Sequence, residues 1–216
     1  MSRVRVKICG ITSLKDLLIA VEAGADAVGF IVDVPQSPRN LSINEAKKLM
    51  KATPVFVETV TVTVPKDLNH LETIYKELNP GIIQVHGVDH LQKEIQERLP
   101  GTRLIGAVQA KTDLEIDTIL EATDAFDAIL LDSYISGQYG GSGRTHDWGL
   151  SKRVKEAIYP KPLILAGGLR PENVKEAICA VKPYAVDVSS GVESRPGVKD
   201  RKKVFDFIKN VEEAEI

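Results

Sequence analysis

The stretch VRVKICGITSLKDLLIAVEAG, residues 4–24, contains the two periodicities that decide the fold. In its first six residues, β-branched side chains alternate with Arg5, Lys7 and Cys9, which predicts a strand with two distinct faces. Its second half repeats apolar residues at the i, i+3, i+4, i+7 spacing of one helix face: Leu14, Leu17, Leu18 and Val21. Gly24 follows as a helix stop, so the stretch predicts one complete strand–helix unit.

The same unit repeats along the whole chain. Apolar runs suited to strands occupy residues 4–9, 27–32, 54–62, 81–86, 103–108, 128–133, 162–167 and 185–190. Eight such runs, each followed by a charged segment with helical spacing, predict an α/β fold: a (β/α)8 TIM barrel with eight parallel strands inside outer helices. We expect residues 1–216 to form one catalytic domain. The alternative is an open doubly wound sheet, which normally has a glycine-rich fingerprint after its first strand that this sequence lacks.

Composition narrows the functional classes. The net charge of −2 at pH 7 argues against a nucleic-acid partner. No apolar run approaches the roughly 20 residues that cross a bilayer, so we expect no membrane partner. The two cysteines, Cys9 and Cys179, are too few for a disulfide framework or a zinc cluster. We therefore expect a cytoplasmic protein in which Cys9 is a free thiol, either a catalytic group or apolar filler in a buried strand.

Barrel enzymes have their active sites at the C-terminal ends of the strands, and this rule selects a set of polar residues. They interrupt or end the apolar runs on that side, at Cys9, His86, Asp132, Ser189 and Ser190. Strand alternation turns Cys9 into the barrel with Lys7 one layer beneath it. A buried ammonium group needs a partner, and we expect that partner to be Asp187 on the eighth strand.

Loops on the same side of the barrel are suited to an anionic ligand. Glycine-rich segments follow strands six, seven and eight, at residues 139–148, 166–173 and 189–200. Glycine lets backbone N–H groups approach an anion, and barrels often bind phosphate after strands seven and eight. After strand two, Arg39 presents a planar fork suited to a carboxylate or phosphate. The alternative for Arg39 is a solvated surface residue.

With these motifs the sequence resembles the phosphoribosylanthranilate isomerase family, (β/α)8 enzymes of tryptophan biosynthesis. The resemblance runs almost end to end through seven motifs in order. They are KICGIT (7–12), GF with SPR (29–39), QVHG (84–87), LLDS (130–133), GGSGRTHDW (140–148), LAGGLRPENV (165–174) and VDVSSGVESRPGVKD (186–200).

The resemblance implies an Amadori rearrangement of N-(5-phosphoribosyl)anthranilate to the corresponding aminoketose. It implies Asp132 as general acid, Cys9 as general base, and Arg39 as the group that holds the anthranilate carboxylate. The implied phosphate-binding residues are Gly141, Gly143, Gly167, Gly168, Ser189, Ser190 and Gly191, and the substrate pocket also includes Lys7, Gln84, His86 and Asp187. No metal or organic cofactor is implied, and the protein is expected to be a monomer or a homodimer. A cation such as Lys7 is expected to lower the pKa of Cys9.

Four residues depart from the family pattern: Glu58, Val85, Ser142 and His146. If Glu58 points into the barrel, it needs a partner such as Lys7 or Arg5. Two alternative functions remain open. One is a related phosphate-binding barrel enzyme, such as indole-glycerol-phosphate synthase or the histidine-pathway isomerase. The other is a phosphosugar-binding barrel without catalytic activity.

Overall fold

Strand β1 (Arg5–Cys9) pairs in parallel with β2 (Ala27–Val32) on one side and with β9 (Ala185–Val188) on the other. This double pairing closes the sheet into a barrel, because each of the five other barrel strands also has a parallel neighbour on both sides. The computed structural model describes residues 3–87, 92–110, 116–133 and 147–214. The predicted (β/α)8 barrel is confirmed.

The remaining barrel strands follow in chain order around the ring. They are β4 (Glu58–Thr63), β5 (Ile82–His86), β6 (Arg103–Ala110), β7 (Ala128–Ser133) and β8 (Leu163–Leu165). Three short strands add to this frame: β3 (Asn40–Leu41) pairs with β2, and β10 (Glu193–Arg195) forms a hairpin with β11 (Val198–Lys199). The sequence pattern did not predict these three.

Helices cover the outside of the barrel. They are α1 (Leu14–Ala23), α2 (Ile43–Ala52), α3 (Leu68–Leu78), α4 (Gln92–Arg98), α5 (Ile116–Thr123), α6 (Trp148–Ala157), α7 (Pro171–Val181) and α8 (Arg201–Glu212), with a 3₁₀ turn at Ser190–Val192. Local sequence sets their ends: the Ser13 side chain accepts from the Asp16 N–H at the start of α1, and Gly24 ends it at φ 96°. Within the described residues, no helix is both long enough and apolar enough to cross a membrane.

Four strands differ by two or more residues at one end from their predicted runs; the fifth and seventh are Arg103–Ala110 and Leu163–Leu165 instead of 103–108 and 162–167. The third barrel strand begins at Glu58 rather than at residue 54, because Pro54 and Val57 form a turn in which Phe56 adopts φ 77°. The eighth barrel strand, β9, ends at Val188 rather than at residue 190, because the chain enters the 3₁₀ turn after Ser189. Ser189 and Ser190 therefore leave the sheet and enter a loop over the barrel mouth.

The apolar core consists of two clusters on opposite faces of the same strands. The larger lies between the strands and the helices and includes Val6, Ile8 and Phe30. The smaller fills the barrel interior and includes Cys9, Val60 and Leu130. The predicted assignment of side chains to the two faces of β1 is therefore confirmed. Val6 and Ile8 pack outward, while Cys9 faces the interior.

Candidate active site

A cavity of about 620 Å³, partly open to solvent, lies at the C-terminal ends of the barrel strands. The residues predicted for the site that line it are Cys9, Arg39, Gln84, His86, Asp132, Gly167, Gly168, Asp187, Ser189, Ser190 and Gly191. Lys7 lies beneath it, and Gly141 and Gly143 lie outside the described residues, as do Ser142 and His146. All predicted site residues that lie within the described ranges are therefore found in or directly beneath this cavity.

A buried charge pair forms the floor of the cavity. The Nζ atom of Lys7 donates to Asp187 Oδ1 at 2.9 Å, and the two side chains are only 5% and 10% exposed. Lys7 and Asp187 are register partners on β1 and β9, which confirms the pairing expected from the sequence. Glu58 takes no part, because it is exposed at the start of β4.

The same ammonium group organises a hydrogen-bonded chain towards the mouth. Lys7 Nζ also donates to Gln84 Oε1 at 3.0 Å, which fixes the amide with its nitrogen facing His86. Gln84 Nε2 lies 2.9 Å from His86 Nε2 and donates to it, so a neutral His86 carries its proton on Nδ1. Burial and the Lys7 charge lower the pKa of His86 to about 4, so this ring is neutral at pH 7.

Cys9 lies in the interior at the end of β1, where it is 5% exposed. Burial raises the pKa of the Cys9 thiol above its usual value, although the Lys7 and Lys199 charges oppose that effect. The expectation that Lys7 sets a lowered thiol pKa is therefore wrong in its net direction, because desolvation outweighs the cations. For Lys7, burial disfavours the ammonium form, but Asp187 and Cys9 outweigh it and raise its pKa.

Gly29 leaves space for the sulfur atom of Cys9. It is the register partner of Cys9 on β2, and a Cβ atom added there would lie 2.8 Å from Cys9 Sγ and 3.0 Å from Lys7 Cε. The first contact is closer than real Cβ atoms show, and the second is tighter than nine in ten of their contacts. The glycine of the GF motif therefore has a packing role that sequence reasoning did not identify.

Asp132 is the penultimate residue of β7 and lines the cavity at the C-terminal end of that strand, where the sequence predicted it. It is the register partner of Gln109 on β6, and its side chain is partly buried. Asp132 and Cys9 lie on different strands but line the same cavity, so a small molecule bound there can contact both. A carboxyl and a thiol in this arrangement can act as a proton donor and a proton acceptor.

Arg39 is not the solvated surface residue considered as an alternative. It is 8% exposed and makes two hydrogen bonds to Glu193, from Nε to Oε1 at 2.8 Å and from Nη2 to Oε2 at 2.7 Å. Lys199 Nζ donates to the same Oε1 at 2.9 Å. Burial favours a neutral Glu193 carboxyl, but the two cations outweigh it and lower its pKa. Sequence reasoning missed Glu193 and Lys199, because nothing local links them to Arg39; Glu193 alone lies 154 positions after it.

The loops after β8 and β9 have backbone shapes that need glycine. Gly167 and Gly168 have φ values of 84° and 64°. A Cβ atom at Gly191 would collide with the carbonyl oxygen of Leu169, so the two loops touch at this point. The buried Ser189 Oγ has no hydrogen-bond partner among the described residues, which leaves a hydroxyl able to bind a ligand in the cavity. Within those residues, no cluster of three or more His, Cys, Asp or Glu side chains could hold a metal ion.

Fold and site together define a class: (β/α)8-barrel enzymes whose active site lies at the C-terminal ends of the strands. A family profile for N-(5'-phosphoribosyl)anthranilate isomerase matches residues 6–210. A protein of that name from Methanothrix thermoacetophila is 44% identical over 210 residues, 96% of this chain and 97% of the relative. The chain belongs to the N-(5'-phosphoribosyl)anthranilate isomerase family.

Solved structures agree with this assignment. The crystal structure of phosphoribosyl anthranilate isomerase from Thermotoga maritima is 40% identical, with a TM-score of 0.85 over 97% of this chain and 98% of that one. A crystal structure of the isomerase in complex with reduced 1-(o-carboxyphenylamino)-1-deoxyribulose 5-phosphate has a TM-score of 0.81 and is 38% identical. It covers 97% of this chain and 98% of that one.

Proposed function

We propose that this enzyme converts N-(5-phosphoribosyl)anthranilate to 1-(2-carboxyphenylamino)-1-deoxyribulose 5-phosphate by an Amadori rearrangement in tryptophan biosynthesis. The observation that carries the proposal is the convergence of Cys9, Asp132 and Arg39 on one cavity with glycine-rich loops at its rim. These are a proton acceptor, a proton donor and a carboxylate-binding group. Use of Cys9 as a free thiol fits the proposed cytoplasmic location.

In the first step, the Asp132 carboxyl protonates the furanose ring oxygen, and the C1–O bond breaks to leave an open-chain Schiff base. The protonated imine withdraws electrons from C2 and makes its proton acidic. The Cys9 thiolate then removes that proton and gives an enolamine, whose tautomerisation yields the ketone. The substrate's own skeleton supplies the electron sink, so the chain's residues need only place and transfer protons.

Burial of Cys9 has a consequence for this step. The thiol is the favoured form in the empty site because its pKa is raised. A cationic Schiff base beside the sulfur adds to the effect of Lys7 and Lys199 and favours the thiolate, and the thiol proton passes to solvent through the open side of the cavity. We propose that ring opening generates both the acidic C2–H and the charge that activates its base.

The substrate's two anionic groups have separate partners in this proposal. Arg39 binds the anthranilate carboxylate, since its guanidinium group lines the cavity and Glu193 occupies only one of its edges. The phosphate binds at the rim of the cavity through Gly167, Gly168, Ser189, Ser190 and Gly191, together with Gly141 and Gly143. Loop N–H groups and the Ser189 hydroxyl are suitable donors.

The test is the decay of phosphoribosylanthranilate fluorescence on addition of the protein. Cys9→Ser and Asp132→Asn are expected to lower kcat at least about a hundredfold, the range of general acid–base contributions, while substrate still binds. Wild-type turnover in either variant would refute that residue's role. A flat trace with wild-type protein would instead favour a phosphosugar-binding barrel without catalysis, and assays with the histidine-pathway substrate test the related isomerase. Sedimentation equilibrium distinguishes a monomer from a homodimer.

A further inference from the structure

The three charges around Arg39 are unusually well enclosed. The side chains of Arg39, Glu193 and Lys199 are 9%, 3% and 0% exposed, and their ion pairs measure 2.7 and 2.9 Å. Burying three ionised groups is costly, and the gain in stability over apolar residues is small or absent. Stability alone therefore does not explain why these three charged residues are buried together.

The geometry leaves one edge of the guanidinium group free. Glu193 occupies the edge formed by Nε and Nη2, and among the described residues Nη1 has no hydrogen bond. The edge formed by Nη1 and Nη2 is therefore available, and it matches the two oxygens of a carboxylate. Arg39 lines the cavity, so the held guanidinium group can meet a ligand there.

The carboxylate that holds Arg39 is itself held firmly. Glu193 and Lys199 are register partners in the β10–β11 hairpin. Thr12 Oγ1 donates to the carbonyl of Gly197 at 2.6 Å, and the backbone N–H of Lys199 donates to Asp16 Oδ1 at 3.1 Å. The loop after β9 is thus fastened to the loop after β1.

Lys199 also connects this hairpin to the phosphate side of the cavity. Its Nζ atom donates to the carbonyl oxygen of Ser189 at 3.2 Å while it binds Glu193. One ammonium group therefore contacts both the residue that holds Arg39 and the start of the proposed phosphate loop. These two contacts of Lys199 set the distance between Arg39 and the proposed phosphate loop, where the two anionic groups of the substrate would bind.

We propose that Glu193 is a positioning residue: it fixes the Arg39 guanidinium so that its free edge binds the carboxylate of the substrate. The inference rests on the proposed function, because Arg39 must bind that carboxylate. Glu193 itself points its oxygens at Arg39 and Lys199 and acts through them. Its removal should therefore affect substrate binding and leave proton transfer at Cys9 and Asp132 largely unchanged.

The test uses Glu193→Asp, which keeps the cluster's charge and withdraws the carboxylate by one methylene, and Glu193→Gln, which removes the charge. We expect Glu193→Asp to raise KM for phosphoribosylanthranilate about tenfold with kcat within about threefold, since a charged bidentate contact is misplaced. Glu193→Gln should raise KM further. Glu22→Gln is the matched control, because Glu22 forms an exposed pair with Arg201 and should leave both constants unchanged.

A substrate analogue without the carboxylate, N-(5-phosphoribosyl)aniline, separates positioning from general damage. Wild type and Glu193→Asp should have equal kcat/KM values with the analogue, and in an Arg39→Ala background Glu193→Gln should cause no further loss with either substrate. An unfolded Glu193→Asp protein, a fall in kcat at unchanged KM, or equal losses with both substrates would overturn the inference. An inactive wild type would refute the proposed function instead.

Discussion

Lys7 offers the sharpest test of how the barrel interior is held together. Lys7→Met removes the ammonium group with little change of shape and leaves the Asp187 carboxylate buried without its partner at 2.9 Å. Removing one member of a buried ion pair costs about 3–5 kcal/mol of unfolding free energy. In a chain of 216 residues that loss corresponds to a fall in Tm of roughly 6–20 °C.

The assay is urea denaturation followed by circular dichroism, with two comparison variants. Lys7→Met/Asp187→Asn should recover much of the loss, because no unpaired charge remains in the barrel. Lys202→Met is the matched control, since Lys202 makes an exposed ion pair with Asp206 and should show no resolvable change. If the unfolding free energy of Lys7→Met lies within about 1 kcal/mol of the wild-type value, the argument that the buried Asp187 carboxylate needs Lys7 is wrong.

Two further predictions concern the mouth. Gly29→Ala should push the Cys9 sulfur aside, since the added Cβ would lie 2.8 Å from it, and kcat should fall about tenfold or more at nearly constant KM. His86 has a folded-state pKa of about 4, below its unfolded value, so the unfolded chain binds more protons between pH 6.5 and 4. The unfolding free energy should therefore decrease as pH falls through that range, by up to about 3 kcal/mol.

Each of these two has its own control. Gly81→Ala places a methyl group where no atom lies within 4 Å, and its kinetics should match those of wild type. An equally active Gly29→Ala enzyme would contradict the packing argument. For His86, denaturation curves from pH 7 to pH 4 are compared between wild type and His86→Gln. If the folded protein holds His86 neutral, the difference in unfolding free energy between wild type and His86→Gln should change with pH. A difference that is the same at every pH would contradict the lowered pKa of His86.

Local periodicity was enough to predict the barrel and the inward face of β1, because alternation and register are short-range properties of the chain. Knowing that Cys9 and Lys7 face inward also made Asp187 identifiable, since β1 and β9 must meet when eight strands close. Arg39 was placed at the right loop, but its partner was not predicted. Glu193 lies 154 positions later in sequence, on a hairpin whose Pro196–Gly197 pattern predicts a turn but no partner for Arg39.

The pKa of Cys9 shows a different limit of sequence reasoning. Neighbouring cations can be predicted from strand register, but the desolvation that opposes them depends on how completely the site is enclosed. That enclosure comes from the whole barrel interior, to which Val60, Leu130 and Ile164 contribute from three other strands. The sign of the net effect therefore requires the three-dimensional structure.

The two apolar clusters on opposite faces of the strands have an engineering consequence. Most of the large buried side chains belong to the outer cluster, between strands and helices, whereas the inner face carries the polar groups of the site. Substitutions at inward positions near the mouth, such as Ile31 and Leu130, should thus be tolerated better than changes at outward ones such as Phe30. Combinatorial libraries confined to inner-face positions near the mouth, with Lys7 and Asp187 kept, would sample new ligands while sparing the residues that keep the barrel folded.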